Sequence, residues 1–380
     1  MIKKVKIPQL QESDFLIIPK PLPNELFSSW FVRMAYAHKT HPHTFEHLYL
    51  NLPQNLFSKN IDVALDVDTM SIISKKCKHE IDIQSLTLQT YDTYLQEKII
   101  PNGLNKFITP LRYCPTCLKK DKIPYFRKEW KVTLCTICQE HRCFLYDACP
   151  QCNTKLNISQ MYRNIHPYTF CCKCGYDLAR AKTQHIHYSY QNIFQYTKIL
   201  FEILGKGYVQ LGSTPIYSFY FFDVLTQLSK IILKHGKFKF LEEFIPISTL
   251  RSWKNMKLKN AAPIYTQISI KDQFMLFGSI VAIFLNYPHN IRDYIAANEL
   301  THWQTTRDMT YLPFWFETLI NDISPQYVPY SKIVTDGEIK ACKKYLLSKG
   351  EIINKANLTK FLGCNFFSSY SKLGSKVYKN

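Results

Sequence analysis

The chain is 380 residues long and sets 48 Lys and Arg against 29 Asp and Glu, a formal net charge of +19, with 46% hydrophobic residues, 50 Phe and Tyr together and only 11 Gly. So many aromatics exclude a disordered chain, and the length accommodates two or three domains whose cores need no disulfides. Scarce glycine argues against a nucleotide enzyme built on phosphate-cradling loops, and the excess of positive charge points to a polyanionic partner, although a composition this rich in Lys, Ile, Asn and Tyr also accumulates lysine without function.

The N-terminus, Met1-Ile-Lys-Lys-Val-Lys-Ile-Pro8, is basic and has no apolar stretch of the kind a secretory signal carries, so a soluble, cytoplasmic protein is expected. A first helix is expected after Pro23, capped by Asn24, with Glu25 at its positive end and Leu26, Phe27, Trp30, Phe31 and Met34 on one face. A second starts near Thr44 with Phe45 and Leu48 inward. Asp68 or Thr69 caps a third, which turns Met70, Ile73 and Cys77 inward and breaks at Lys78-His79-Glu80. A fourth runs from Asp82 with Ile83, Leu86 and Tyr91 inward. Short helices across a tight turn have the shape of a helix-turn-helix, and equally of a small helical bundle. The expected fold is mainly α, opening with this helical, helix-turn-helix-like module over residues 1–110.

Ten of the 13 cysteines lie between Cys114 and Cys174; Cys77, Cys342 and Cys364 lie outside. In a chain without a signal segment, clustered thiols read as metal ligands rather than disulfides. Four pairs share a two-residue spacing: Cys114-Pro-Thr-Cys117, Cys138-Gln-Glu-His141, Cys149-Pro-Gln-Cys152 and Cys171-Cys-Lys-Cys174. Two donors at this spacing fit one tight knuckle, and two knuckles complete a tetrahedral site. Gaps of 20 and 18 residues separate the knuckles within each half, the spacing of structural zinc sites. The sequential reading gives two structural Zn2+ ions over residues 111–180. The first is held by Cys114, Cys117, Cys138 and His141, and the second by Cys149, Cys152, Cys171 and Cys174. Interleaved pairing is the alternative. Three further cysteines compete for ligand roles: Cys135, separated from Cys138 by two residues, would serve in place of His141, Cys143 and Cys172 are less well spaced, and the alternative for all three is a small buried hydrophobe beside the metal. Both sites are closed by four protein ligands, and the chain has neither His-Glu-x-x-His nor a deaminase His-x-Glu, so the metals are expected to fold the region and the protein is not expected to be an enzyme.

Helical periodicity returns over residues 181–330. Ile193, Phe194, Leu200, Phe201 and Leu204 form a stripe ended by Gly205. Phe219 to Leu233 form another, ended by Gly236. Between them, Gly207-Tyr-Val-Gln-Leu-Gly212-Ser213-Thr214 imitates a phosphate loop but lacks its lysine. Ser269-Ile-Lys-Asp272 heads a helix reaching Asn286, which Pro288 stops. Its apolar run, Phe274 to Leu285, is too short to span a bilayer. Residues 331–380 hold ten Lys and three acids. There, Glu338 to Leu347 form an amphipathic helix. Asn357 to Asn365, turning at Gly363, and Phe366 to Leu373 then have the shape of a helix-turn-helix.

These parts in this order resemble the TniQ family of Tn7-like transposition proteins. The resemblance starts at Pro21-Leu-Pro-Asn-Glu-Leu-Phe-Ser-Ser-Trp-Phe-Val-Arg33. It continues through Tyr113-Cys-Pro-Thr-Cys117, Tyr125-Phe-Arg-Lys-Glu-Trp130, Cys138-Gln-Glu-His141 and Cys149-Pro-Gln-Cys152 to Cys171-Cys-Lys-Cys-Gly-Tyr-Asp-Leu178. Weaker echoes follow at Gly212 to Phe222, Tyr287-Pro288 and Pro313-Phe-Trp315. The resemblance favours Cys138 and His141 over Cys135 as ligands. It implies a non-catalytic target selector that binds duplex DNA at a target or attachment site and recruits the TnsC-like AAA+ ATPase that regulates the transposase. The alternative it implies is an adaptor between a CRISPR effector complex and that ATPase. A homodimer is compatible with either, and no membrane is expected. For the DNA-binding branch, the contact residues expected in the basic tail are Lys360, Asn365, Ser368, Ser369, Lys372 and Lys376.

Overall fold

The computed structural model describes residues 15–52, 56–58, 60–91, 111–158, 161, 169–171, 173–258, 264–309, 312–323, 336–354, 357–358 and 361. The chain forms two compact units, Met1–Tyr294 and Ile295–Asn380. Both are mainly helical, and the strands among the described residues are four short ones.

The first unit opens with α1 (Phe27–Ala37), α2 (Pro42–Tyr49), α3 (Ile61–Ala64) and α4 (Val67–Lys76). The expected apolar face of α1 is present, with Leu26, Phe27, Trp30, Phe31 and Met34 all fully buried. The start of α1 differs from the expectation. Leu26, not Asn24, precedes the first turn, and Asn24 takes a left-handed φ of 53°. This turns Glu25 back under the helix, where its carboxylate accepts from Leu22 N–H (2.9 Å), Ser29 Oγ (3.1 Å) and the Arg33 guanidinium. In α2, Phe45 is buried as expected but Leu48 is 65% exposed. The cap of α4 is Asp66, whose carboxylate accepts from Thr69 N–H at 2.8 Å. The break at Lys78 and His79 is real, both residues having positive φ. The expected fourth helix is instead two short 3-10 turns, Gln84–Leu86 and Leu88–Tyr91. Ile83 and Leu86 are buried there as expected.

After the cysteine-rich region come α6 (Gln191–Lys206), α7 (Ser218–His235), α8 (Ile247–Lys254) and α9 (Ile270–Phe284). Helix α6 runs through Gly205 and ends at Gly207, whose φ of 79° makes the left-handed cap. Gly236 ends α7 in the same way, as expected. The loop that imitates a phosphate cradle is a β-hairpin. β3 (Tyr208–Leu211) pairs antiparallel with β4 (Thr214–Tyr217) around Gly212-Ser213, and Gly212 supplies the positive φ (59°) that such tight hairpins need. Ser269 caps α9 by accepting from Asp272 N–H at 3.1 Å. Nearly all of α9 is buried, which marks it as a core helix. Among the described residues no single helix is long and apolar enough to cross a membrane.

Helices α6 and α9 pack at Gly278. A Cβ there would lie 2.7 Å from Ile193 Cγ2 and 3.0 Å from Ile193 O. Gly278→Ala is therefore expected to destabilise the fold by about 1–3 kcal/mol, overpacking outweighing the roughly 1 kcal/mol gained in helix propensity. A urea midpoint equal to or above that of the parent would show that the contact yields without cost.

α10 (His289–Ala297) crosses the boundary between the units. The second unit then contains α11 (His302–Thr306), α12 (Phe314–Ile323) and α13 (Asp336–Ser348). Thr301 and Gln304 close a reciprocal capping box on α11. Helix α13 contains the expected amphipathic segment and buries Ile339, Cys342 and Leu346, the last two packing with Leu358. Of the expected helix-turn-helix beyond it, only Asn357, Leu358 and Phe361 are described, and Lys360, Asn365, Ser368, Ser369, Lys372 and Lys376 lie outside the described residues.

Candidate metal centres

The cysteine-rich region folds on knuckles rather than on long elements. It contains α5 (Pro115–Lys120), β1 (Ile137–Cys138) and β2 (Cys143–Phe144), the two strands pairing antiparallel. Cys114 precedes α5, with Pro115 in the first turn, and its sulfur accepts from Cys117 N–H at 3.5 Å. In the other three knuckles, a residue in left-handed conformation follows the second donor: Arg142 (φ 46°), Asn153 (φ 55°) and Gly175 (φ 71°). The chain thus folds back, with Asn153 N–H bonding Cys149 O (2.9 Å) and Gly175 N–H bonding Cys171 O (2.8 Å). Only one of the three uses the glycine that the conformation favours.

The donors converge as two groups of four. Sγ of Cys114, Cys117 and Cys138 and a ring nitrogen of His141 all lie within 4.8 Å of one another, as do the four sulfurs of Cys149, Cys152, Cys171 and Cys174. The Cys117–Cys138, Cys149–Cys174 and Cys152–Cys171 sulfur separations are each 3.6 Å, and His141 Nδ1 is 3.2–3.7 Å from the three sulfurs of its group. For metal–sulfur bonds of about 2.3 Å, the edge of a tetrahedron is about 3.8 Å. Both donor sets therefore fit a four-coordinate metal ion, and each fills all four corners with protein atoms. The grouping is sequential, not interleaved.

Cys135 stays outside both groups. It is buried, and burial pushes its thiol well above the usual range, as suits a small packed hydrophobe. Cys172 lies outside the described residues. Cys143, which the spacing ranked low, comes to the rim of the first group, with its sulfur 3.6 Å from Cys114 Sγ. The missed signal was its pairing across β1–β2, not its distance along the chain.

The first centre lies within the core, whereas the second reaches from that same core, at Cys149 and Cys171, to the surface at Cys152 and Cys174. Cys114, Cys117, Cys138 and Cys143 share one apolar cluster with Leu26, Val32, Val63, Leu88, Phe126 and Trp130. In the second group, Cys152 is half-buried and Cys174 exposed. Contact with Thr154 pulls the Cys152 thiol down to about 6.

Polar locks join the opening helices to the first centre. Ser29 Oγ donates to Glu25 and accepts from Phe126 N–H (3.0 Å), while Lys128 N–H bonds Asn24 O (2.8 Å). Asp62 accepts from Ser28 N–H (2.8 Å) and Ser28 Oγ (2.9 Å) and pairs with Lys131 Nζ (2.9 Å). Arg127 chelates Asp121 and lies over the Tyr125 and Trp130 rings at 4.3 and 4.8 Å. On the other side, the fully buried Arg112 donates to Thr133 O and Cys135 O and to Gln273 on α9, and Phe144 meets Phe274 edge to face. The motif residues Glu25, Ser28, Ser29 and Arg33 thus hold the fold together and present no reactive group to solvent.

Beside the first centre runs a strip without acids of its own. Residues 178–201 contain no Asp or Glu. This segment bonds β2 through Phe144 N–H to Gln184 O (2.9 Å), and Ile186 N–H bonds Arg142 O (3.0 Å). The Phe194 ring carries the Arg142 guanidinium at 4.7 Å and Lys198 Nζ at 5.3 Å, and Tyr190 carries Lys271 Nζ at 5.5 Å. Tyr188 is 82% exposed and packs on His187.

The TniQ family model matches residues 16–145. No curated protein matches the chain. The matched segment starts just ahead of α1 and ends one residue after β2, so it takes in the locked helices and the whole first centre and stops before the second. Residues 16–145 of the chain therefore form a TniQ domain, a domain associated with Tn7-like transposition.

Proposed function

We propose that the protein is a non-catalytic target-site selection factor for Tn7-like transposition. In this reading it holds two structural zinc ions, binds target DNA and recruits the AAA+ ATPase that regulates the transposase. The TniQ domain carries the assignment to transposition. Both donor groups are closed by four protein atoms, which suits zinc that supports a fold rather than zinc that activates water. For DNA, the supporting observation is the segment 178–201, without acids of its own, where the Phe194 ring holds Arg142 and the half-exposed Lys198, and the Tyr190 ring holds the exposed Lys271 of α9. Cations so placed neutralise phosphates without reading sequence. The tail residues Lys360, Asn365, Ser368, Ser369, Lys372 and Lys376 belong to the same proposal as candidate base and phosphate contacts.

The test is a salt series of duplex binding by fluorescence anisotropy. The parent chain is expected to bind more weakly with rising salt along a straight log–log line. The double variant Lys198→Ala/Lys271→Ala is expected to lower the slope by about 2, each phosphate contact contributing about 0.9. Absence of duplex binding, or binding indifferent to salt, would reject the DNA-reading role.

A second reading has its own observation. On the β3–β4 hairpin, the cross-strand partners Tyr208 and Tyr217 are 47% and 65% exposed, and Tyr217 stacks on Phe219. Such a face suits docking to protein, as an adaptor between a CRISPR effector complex and the ATPase would need. Co-purification of those partners, lost on Tyr208→Ala/Tyr217→Ala while DNA binding remains absent, would favour the adaptor.

A further inference from the structure

Cys138 and Cys143 are directly opposed across β1–β2. Opposed residues of a strand pair project their side chains to the same face, so a backbone that aims Cys138 at the first centre aims Cys143 at it too. The side chain follows. Cys143 Sγ is 3.6 Å from Cys114 Sγ, the separation found between the ligand sulfurs Cys117 and Cys138. Cys143 is fully buried and makes no use of its thiol elsewhere among the described contacts. His141 is placed differently. It comes from the turn between the strands, next to exposed Glu140 and followed by Arg142 in left-handed backbone. It meets the three sulfurs through Nδ1, while its Nε2 lies 3.7 Å from the Glu140 carboxylate. One donor of the first centre is therefore held by a turn, and a fifth is held by the strand beside it.

We propose that Cys143 is a reserve ligand of the first centre, able to take the corner of His141 so that the site passes from three thiolates and one imidazole to four thiolates without losing its metal. The inference rests on metal occupancy of that centre. The exchange would form a metal–Cys143 sulfur bond, break the metal–His141 bond and release the Cys143 thiol proton to water, which adds one negative charge at the metal and frees the neutral imidazole beside Arg142, at the margin of the basic strip. Metal coordination and the charge of that surface would then be linked.

The experiment uses the full chain loaded with cadmium, with metal content by mass spectrometry and shell composition by cadmium-113 NMR. The parent should hold two ions, with one resonance in the range of three sulfurs and one nitrogen and one in the range of four sulfurs. His141→Ala should still hold two, both now in the four-sulfur range. Cys143→Ser alone should leave the parental pattern unchanged. The double variant His141→Ala/Cys143→Ser should hold one, while His141→Cys/Cys143→Ser should hold two, showing that the fold tolerates both changes. Loss of an ion from His141→Ala alone, when His141→Cys/Cys143→Ser retains both, would overturn the reserve role. So would loss of an ion from Cys143→Ser, which would make Cys143 an obligatory ligand. A parent chain that binds fewer than two ions would reject the metal reading itself, and the inference with it.

Discussion

Cys114→Ser is expected to release one of two zinc ions and to unfold the TniQ domain with it, whereas Cys149→Ser should release one ion and unfold only the edge of the cysteine-rich region. A structural zinc site supplies about 10–16 kcal/mol to folding, as much as or more than the 5–15 kcal/mol by which a domain is stable. Cys114 and Cys149 are equally buried in one cluster, so the difference between the variants comes from the burial of the rest of each donor group. Cys114 is fully buried in a cluster that includes Leu26, Val32 and Trp130, so losing its metal withdraws support from α1 and the motif around Trp130 together. The second group has Cys149 and Cys171 in the same cluster but ends in the half-buried Cys152 and the exposed Cys174, so its loss withdraws support from less of the core. Metal content by mass spectrometry checks the first part of each expectation, and limited proteolysis with circular dichroism checks the second. Retention of both ions by either variant would refute the ligand grouping. Equal global unfolding by both would refute the distinction between core and edge.

Glu25→Ala is expected to cost about 3–5 kcal/mol, because it leaves the Arg33 guanidinium buried without its counter-charge. Glu25 is fully buried and Arg33 is 9% exposed. Burial raises the Glu25 carboxyl above its usual range, and the Arg33 charge works against that rise. The remaining bonds of Glu25, from Leu22 N–H and Ser29 Oγ, fix the chain entering α1, and Ser29 passes the constraint on to Phe126. Arg33→Ala should be comparably harmful. The double variant should cost less than the sum of the two, since the second change removes the stranded charge. Urea unfolding of the three variants measures this. A Glu25→Ala cost below about 1 kcal/mol would show that water or another group satisfies Arg33.

The two donor groups were legible because knuckle chemistry is local. Two donors with two residues between them lie on one turn, so the spacing of Cys114 and Cys117 or of Cys149 and Cys152 already implies their meeting. Helix faces were legible for the same reason, as Trp30, Phe31 and Met34 show. Errors gathered where a local preference lost to packing. Asn24 is a good cap in isolation, but the chain turns there to bring Glu25 beneath α1 toward Arg33. Leu48 has the right spacing for burial, yet none of the described residues covers that side of α2 enough to enclose it. Residues 82–91 carry apolar spacing without the length or propensity for a full helix, and form two 3-10 turns instead.

The sequence by itself determined the mainly helical class, the two groups of four donors, and the resemblance to the TniQ family, since periodicity and spacing are properties of short stretches. Only the tertiary structure decided what the family motifs do. Ser29 and Phe126 are 97 residues apart and bond directly, as do Lys131 and Asp62 at 69, so these positions act as locks between the opening helices and the first centre. It also decided the place of Cys143, whose role follows from a strand pair that closes over a four-residue turn. A side chain's neighbours across the fold are set by how the backbone returns on itself, and spacing along the chain carries no record of that return.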